Sequence, residues 1–211
     1  KRSLWIVTGQ QTRATTYRLN TNMSTRKYKS QIGTIPKIVN NFKPITDNQK
    51  LFYNKISDFN NQLILCHGIA GTGKTYVSIY KALQDVLRRG LPYDKIIIIN
   101  PTVDVGNEDK LGYLPGELQQ KIQQYNESTF TILNKIIGKS RANKMISDGK
   151  IEIGVLNFLR GTNLENCYVI LDEAQNVSPM QINTLMTRIS ENCKMIIQGD
   201  LSQCDKYKAN G

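Results

Sequence analysis

Apolar residues between Leu63 and Ile197 fall into two alternating patterns. Short dense runs recur at Leu63–Cys66, Ile96–Ile99, Ile151–Val155, Tyr168–Leu171 and Met195–Ile197. They are rich in β-branched residues and stop at Gly, Pro, Asn or Asp, as strands covered on both faces do. Between and before them lie longer stretches with apolar residues at helical spacing. Thr46 is placed to cap a helix carrying Leu51, Phe52, Ile56 and Phe59 on one face. A second helix is predicted from about Lys74 to Arg89, closed by Gly90-Leu91-Pro92. A third runs from Glu117 to about Ile137. A fourth opens at Pro179 and carries Ile182, Leu185, Met186 and Ile189 on one side. Residues 104–116, with Gly106, Gly112 and Gly116, read as a loop.

Strands alternating with helices predict an α/β fold: a mostly parallel sheet with helices on both faces. In such sheets ligands bind beyond the carboxyl ends of the strands. The polar and Gly-rich clusters fall at those ends: Gly68–Lys74, Asn100–Thr102, Asp172–Gln175 and Gly199–Gln203.

Composition narrows the class. The 211 residues suffice for one core, and 39% hydrophobic with 21% charged residues describes an ordinary globular domain. No apolar run approaches the roughly 18–20 residues that span a bilayer, so no membrane partner is expected. The basic N-terminus lacks the apolar stretch of a secretory signal. The cysteines (Cys66, Cys167, Cys193 and Cys204) form no C-x-x-C pair, and His67 is the only histidine. They read as reduced thiols in or near the core of a cytoplasmic protein, in the host cytoplasm if the source is viral.

The net charge of +11 is unevenly placed. Residues 1–44 hold nine Lys or Arg and no acid, whereas 45–211 carry a net charge of +2. Two domains of behaviour follow: a basic segment 1–44 expected to stay disordered, and an ordered domain at 45–211. Met23 resembles a translation start, so residues 1–22 read as an extension with no part in the fold. The basic arm is either a solvated tail or a means of attracting RNA or single-stranded DNA through its phosphates.

The chemistry concentrates in two motifs. Gly68-Ile69-Ala70-Gly71-Thr72-Gly73-Lys74-Thr75 fits G-x-x-x-x-G-K-[ST] in full, after a strand and at the start of a helix. Its glycines let successive N–H groups converge on an anion, and the helix dipole adds positive potential. Lys74 would reach the β- and γ-phosphates of ATP, and the Thr75 hydroxyl would ligate Mg²⁺. Ninety-eight positions after Lys74, an apolar strand delivers Asp172 and Glu173. Asp172 would hold the metal; Glu173 would orient or deprotonate the attacking water. Three further assignments are weaker taken singly. Gln203, after the last strand, could sense the γ-phosphate. Gln49, nineteen positions before Gly68, could offer adenine a donor and an acceptor. Arg160 or Arg188 could stabilise transition-state charge, or either could be an ordinary surface arginine.

These residues resemble the PhoH-like (phosphate starvation-inducible) P-loop ATPases over about 45–205. The resemblance rests on Gln49, GIAGTGKT at 68–75, LGYLPGELQQK at 111–121 and NFLRG at 157–161, and continues with ENCYVILDEAQN at 165–176, LMTRIS at 185–190 and GDLSQCD at 199–205. It implies a RecA-like core related to superfamily 1 helicases, with adenine read by Gln49, the DEAQ element at Asp172–Gln175 and a GDxxQ element at Gly199–Gln203. The sequence departs at Ile69, where the family usually has Pro, and at Asn100-Pro101, where it usually has Arg-Pro. Its compact domain looks like the short versions found in bacteriophages. The expected function is Mg²⁺-dependent ATP hydrolysis, coupled to RNA or single-stranded nucleic acid. The alternative is a nucleotide-dependent interaction protein with little turnover. One RecA-like domain makes only half of a motor's ATP cleft, so a homo-oligomeric ring with Arg160 or Arg188 acting in trans is expected.

Overall fold

A computed structural model describes residues 2–8, 16–19, 41–101, 115–154, 163–190 and 192–203; side chains are described from residue 41 on, except in 115–125. The elements in chain order are β1 (Arg2–Thr8), β2 (Thr16–Leu19), α1 (Asp47–Ser57), β3 (Asn61–His67), α2 (Lys74–Val86), β4 (Lys95–Ile99), α3 (Pro115–Ile137), α4 (Lys139–Ser147), β5 (Ile151–Gly154), β6 (Cys167–Leu171), α5 (Pro179–Met186) and β7 (Lys194–Gly199).

The sheet has the order β2-β1-β3-β7-β6-β4-β5. Strands β1, β3, β7, β6, β4 and β5 run parallel, and β2 pairs antiparallel with β1. The α/β architecture with a parallel core is therefore as the alternating pattern predicts. One part differs. The sequence assigns residues 1–22 no place in the fold, yet the backbone of 2–8 lies along β3, with Leu4 opposite Leu63 and Val7 opposite Cys66. The run Leu4-Trp5-Ile6-Val7 has the aromatic and β-branched character of a strand, but one short run among polar residues carries little periodic signal.

Strands β3, β4, β6 and β7 are buried on both faces, and their alternation sorts the core into two layers. Ile64, Ile96, Ile98, Tyr168, Ile170 and Ile196 face α1, α2, α3 and α4. Ile97, Ile99, Val169, Leu171, Met195 and Ile197 face the other way, where Leu185 of α5 and Val177 cover them. Helix α1 begins as expected, with the Thr46 side chain accepting from Gln49 N. Helix α5 begins at Pro179 with a full capping box from Ser178 and Gln181. Helix α2 ends at Val86, three residues short of its predicted end. Helix α4 was not expected; Gly138, at φ 80°, separates it from α3.

Parallel strands put their carboxyl ends together. His67, Ile99, Leu171 and Gly199 thus open onto one edge of the sheet, and the loops that follow them build the site.

Candidate functional site

Strand β3 runs into the loop Gly68–Gly73, and α2 starts at Lys74. Gly71 and Gly73 have φ of 77° and 84°, conformations that a side chain would strain. The loop is tied to the last strand: Gly68 N donates to Gly199 O at 3.2 Å and Ala70 N to Asp200 Oδ2 at 2.9 Å. The Thr72 hydroxyl donates to Ile69 O at 2.8 Å. Lys74 Nζ lies over the loop, donating to Gly68 O at 2.6 Å and Ile69 O at 3.0 Å. Ile69 is exposed, so the missing proline there leaves no gap in the packing.

Residues far apart in sequence meet at the start of α2. The Thr75 hydroxyl donates to Asp172 Oδ2 at 2.8 Å. Asp172 Oδ1 accepts from Glu173 N at 3.0 Å and from Gln198 Nε2 at 2.9 Å. The same Gln198 nitrogen donates to Thr75 Oγ1 at 3.1 Å, and Gln198 Oε1 accepts from the Ser78 hydroxyl at 2.6 Å. Gln198 and Ser78 are fully buried and Asp172 nearly so. Gln198 and Ser78 were missed from sequence. The available signal was a glutamine inside an otherwise apolar strand, since a buried polar side chain needs partners.

Glu173 is exposed and sits at φ 49°, an uncommon conformation for a residue with a side chain. Its Oε2 accepts from Gln175 Nε2 at 2.5 Å. Gln175 Oε1 in turn accepts from Asp200 N at 3.0 Å. Glycine at 199 lets Gln175 approach this closely: a Cβ there would stand 2.5 Å from Gln175 Oε1 and displace that amide. Asp200 is buried among donors. The Ser202 hydroxyl first, then the Ser202 and Ala70 amides and the Lys74 charge, hold its carboxyl below the usual range against the opposing pull of burial.

Beside the loop lies a pocket of about 370 Å³, lined by Thr46, Gln49, Phe52, His67, Thr72 and Val77 among others. The Gln49 amide donates to Thr72 O at 3.0 Å and accepts from Ile45 N at 2.9 Å. An amide has two N–H donors and two acceptor lone pairs, so one of each stays available to a ligand. His67 ends β3; its Nδ1 accepts from Leu201 N at 3.4 Å, in keeping with a strand-end residue. Burial pushes the Cys66 thiol up to about 12, which keeps it protonated and unreactive. Cys167 and Cys193 are also buried thiols.

The remaining assignments divide. Gln203 is exposed on a short 3-10 turn, where its N–H donates to Asp200 O. Arg188 is not brought to the loop within this chain. It follows α5, and its carbonyl accepts from Leu164 N, ahead of the first residue of β6. Asp172 follows the last residue of that strand, roughly 17 Å further along. Spacing alone could not tell which end of α5 faced the site. Arg160 lies outside the described residues, as do most of the LGYLPGELQQK segment's first residues and all of NFLRG. Asn100, where an arginine is usual, donates to Asn126 Oδ1 at 2.6 Å and Thr129 Oγ1 at 3.1 Å, joining β4 to α3.

Thr75 and Asp172 offer hard oxygen atoms side by side, the donor chemistry that suits Mg²⁺. No group of three or more acidic, His or Cys side chains converges among the described residues.

A glycine loop between a parallel strand and a helix, with an acid from the tip of β6, beyond the intervening β7, on its Thr, defines a nucleotide-binding P-loop domain of the NTPase class. Residues 41–211 match the family described as PhoH-like protein. The chain belongs to the PhoH-like protein family. It is 41% identical over 148 residues to a PhoH-like protein of Bacillus subtilis (strain 168), covering 70% of this chain and 45% of that protein. It is 37% identical over 146 residues to Protein PhoH of Escherichia coli (strain K12), covering 68% and 40%. These matches span less than half the length of the relatives. Among solved structures, the large terminase from a thermophilic bacteriophage aligns with 74% of this chain and 39% of its own, at TM-score 0.43 and 13% identity. No helix among the described residues is long and apolar enough to cross a membrane.

Proposed function

We propose that this domain binds ATP with Mg²⁺ and hydrolyses it. The observation that carries the reading is the 2.8 Å contact between Thr75 and Asp172, which joins the P-loop helix to an acidic strand tip 97 residues away. Backbone N–H groups of Gly71–Thr75 would cradle the β-phosphate, and Lys74 would turn from Gly68 O and Ile69 O to the β- and γ-oxygens. Thr75 and Asp172 would hold the Mg²⁺, which when bound supplies charge neutralisation at the phosphates. Glu173 stands beside this pair, exposed, and held by Gln175 in a defined direction. It would take the proton of a water aligned on the γ-phosphate. Gln175, between Glu173 and the Asp200 amide, links that carboxylate to the last strand. Gln49 and the walls at Phe52 and Val77 would receive the adenine.

Coupling to RNA or single-stranded DNA is part of the proposal, supported by the basic residues before position 45. So is a cytoplasmic, ring-forming assembly. Because Arg188 is remote from its own P-loop, a charge-stabilising role for it would be exerted on a neighbouring copy.

Phosphate release and equilibrium binding of a nonhydrolysable ATP analogue test the reading together. Glu173→Gln should bind the analogue like the parent and lose turnover by at least about a hundredfold. Lys74→Ala should weaken binding and abolish release. Parental turnover in Glu173→Gln would refute its role. Tight binding without release in the parent would instead mark a nucleotide-gated interaction protein, and stimulation by single-stranded RNA would support the coupling.

A further inference from the structure

The final carbonyls of a helix have no partner within it and must find one outside. At the end of α1 that partner comes from the starts of two adjacent strands. Lys55 O accepts from Asn61 Nδ2 at 3.0 Å. Ile56 O and Asp58 O accept from Lys194 Nζ at 2.5 and 2.9 Å. Asn61 opens β3 and Lys194 opens β7, its parallel neighbour. Both side chains are buried, Lys194 completely.

Lys194 is a demanding choice for this position. Burial drives its amine down to about 7, partly countered by Asp85 and Asp58 and reinforced by Lys81. Its surroundings are built to receive it. The rings of Phe59 and Tyr168 lie 5.4 and 5.9 Å from Nζ, and Asp85 is bonded to both Lys81 and the Tyr168 hydroxyl. An apolar side chain would fill the space without desolvating a charge, but it could not grip the helix. That grip does something the core cannot. Phe52 and Ile56 hold α1 by non-directional contacts, which resist removal far more than small rotations or slides. Hydrogen bonds to its last carbonyls fix both. Seven residues before Ile56, roughly 10 Å along the axis, Gln49 meets Thr72 O in the P-loop.

We propose that Lys194 and Asn61 are positioning residues for the nucleobase: by clamping the last turn of α1 to β7 and β3, they fix where Gln49 stands against the P-loop. The inference rests on the nucleotide reading above and adds to it a source for the geometry of the base subsite.

The test compares two ligands on the full chain: a nonhydrolysable ATP analogue, and tripolyphosphate, which has no base, each with Mg²⁺. Lys194→Met should bind tripolyphosphate within about twofold of the parent and the analogue about tenfold more weakly, as expected for loss of one or two well-placed hydrogen bonds. Asn61→Ala, the milder change, should show the same selective loss at about threefold, and it carries the test if Lys194→Met does not fold. In a Gln49→Ala background, Lys194→Met should add less than about twofold, because the contact it positions is gone. Equal weakening of both ligands, no weakening of either, or full additivity with Gln49→Ala would overturn the clamp. A parent that binds neither ligand would overturn the nucleotide reading itself. One that binds both equally well would remove the base subsite and this inference while leaving the phosphate site standing.

Discussion

Replacing Gln198 by Met would probe the polar knot beneath the P-loop. The methionine side chain has similar length and needs no partners, so little cavity is created and the lost hydrogen bonds dominate. Asp172 would lose the 2.9 Å donor from Gln198 but keep the Thr75 hydroxyl and the Glu173 amide. A hydrogen bond to a charged acceptor contributes roughly 1.5–3 kcal/mol. The fully buried Ser78 hydroxyl would lose its 2.6 Å acceptor, at roughly 1–3 kcal/mol. Ser78 lies within α2 and can turn toward the carbonyl one turn back, so the lower ends of both ranges apply. The sum is about 2.5 kcal/mol, a large part of the roughly 5–15 kcal/mol that holds a domain folded. Urea denaturation should show the midpoint falling by roughly 1–2 M at unchanged slope. Adding Ser78→Ala should recover about 1 kcal/mol, since it deletes the stranded hydroxyl. A loss below about 0.5 kcal/mol, or a double variant less stable than Gln198→Met alone, would refute the account.

Lys194 should leave a signature in the pH dependence of stability. With a folded-state value of about 7 against an ordinary 10.5, the unfolded chain holds a proton between those limits that the folded protein has released. Stability should therefore rise with pH in that window, by up to about 1.4 kcal/mol per unit, and Lys194→Met should flatten the rise when denaturation is followed from pH 7 to 9. Gly199→Ala would force Gln175 away from the Asp200 amide. A loss of roughly 1–2 kcal/mol and slower phosphate release are expected, and an unperturbed variant would contradict the close approach. By contrast, Lys95 and Glu152 pair at 2.7 Å on a half-exposed edge, so Lys95→Met should change stability by less than about 1 kcal/mol in thermal melts.

Much of this was readable from sequence because the pattern and the chemistry coincide. Four apolar residues in a row at Ile96–Ile99 leave few options besides a strand buried on both faces, and β4 is that strand. The P-loop was legible for the same reason: its glycines, Lys74 and Thr75 act through backbone geometry at fixed spacing, and the residues before and after it fold as strand and helix. Gln49 was weak alone, and its place beside Thr72 depends on how α1 packs, which no local pattern encodes. Gln198 stood out as a polar residue in an apolar strand, but its partners were hidden for a related reason: they come from α2 and from the strand tip beyond β6, 26 to 123 residues away. The position of Arg188 was equally beyond local pattern. It lies at the far end of the sheet from its own P-loop, beside Leu164 ahead of β6, and only the course of the chain after α5 puts it there.

The bond between Ala70 N and the Asp200 carboxylate has an electrostatic side. Together with Asp172 on the Thr75 hydroxyl, and Glu173 next to it in the chain, it brings three acids to the mouth of the loop. A bare polyphosphate approaching that mouth meets repulsion from those carboxylates. The same chain of phosphates carrying its own divalent counterion does not, so the arrangement favours ligands that arrive already partnered over those that arrive naked.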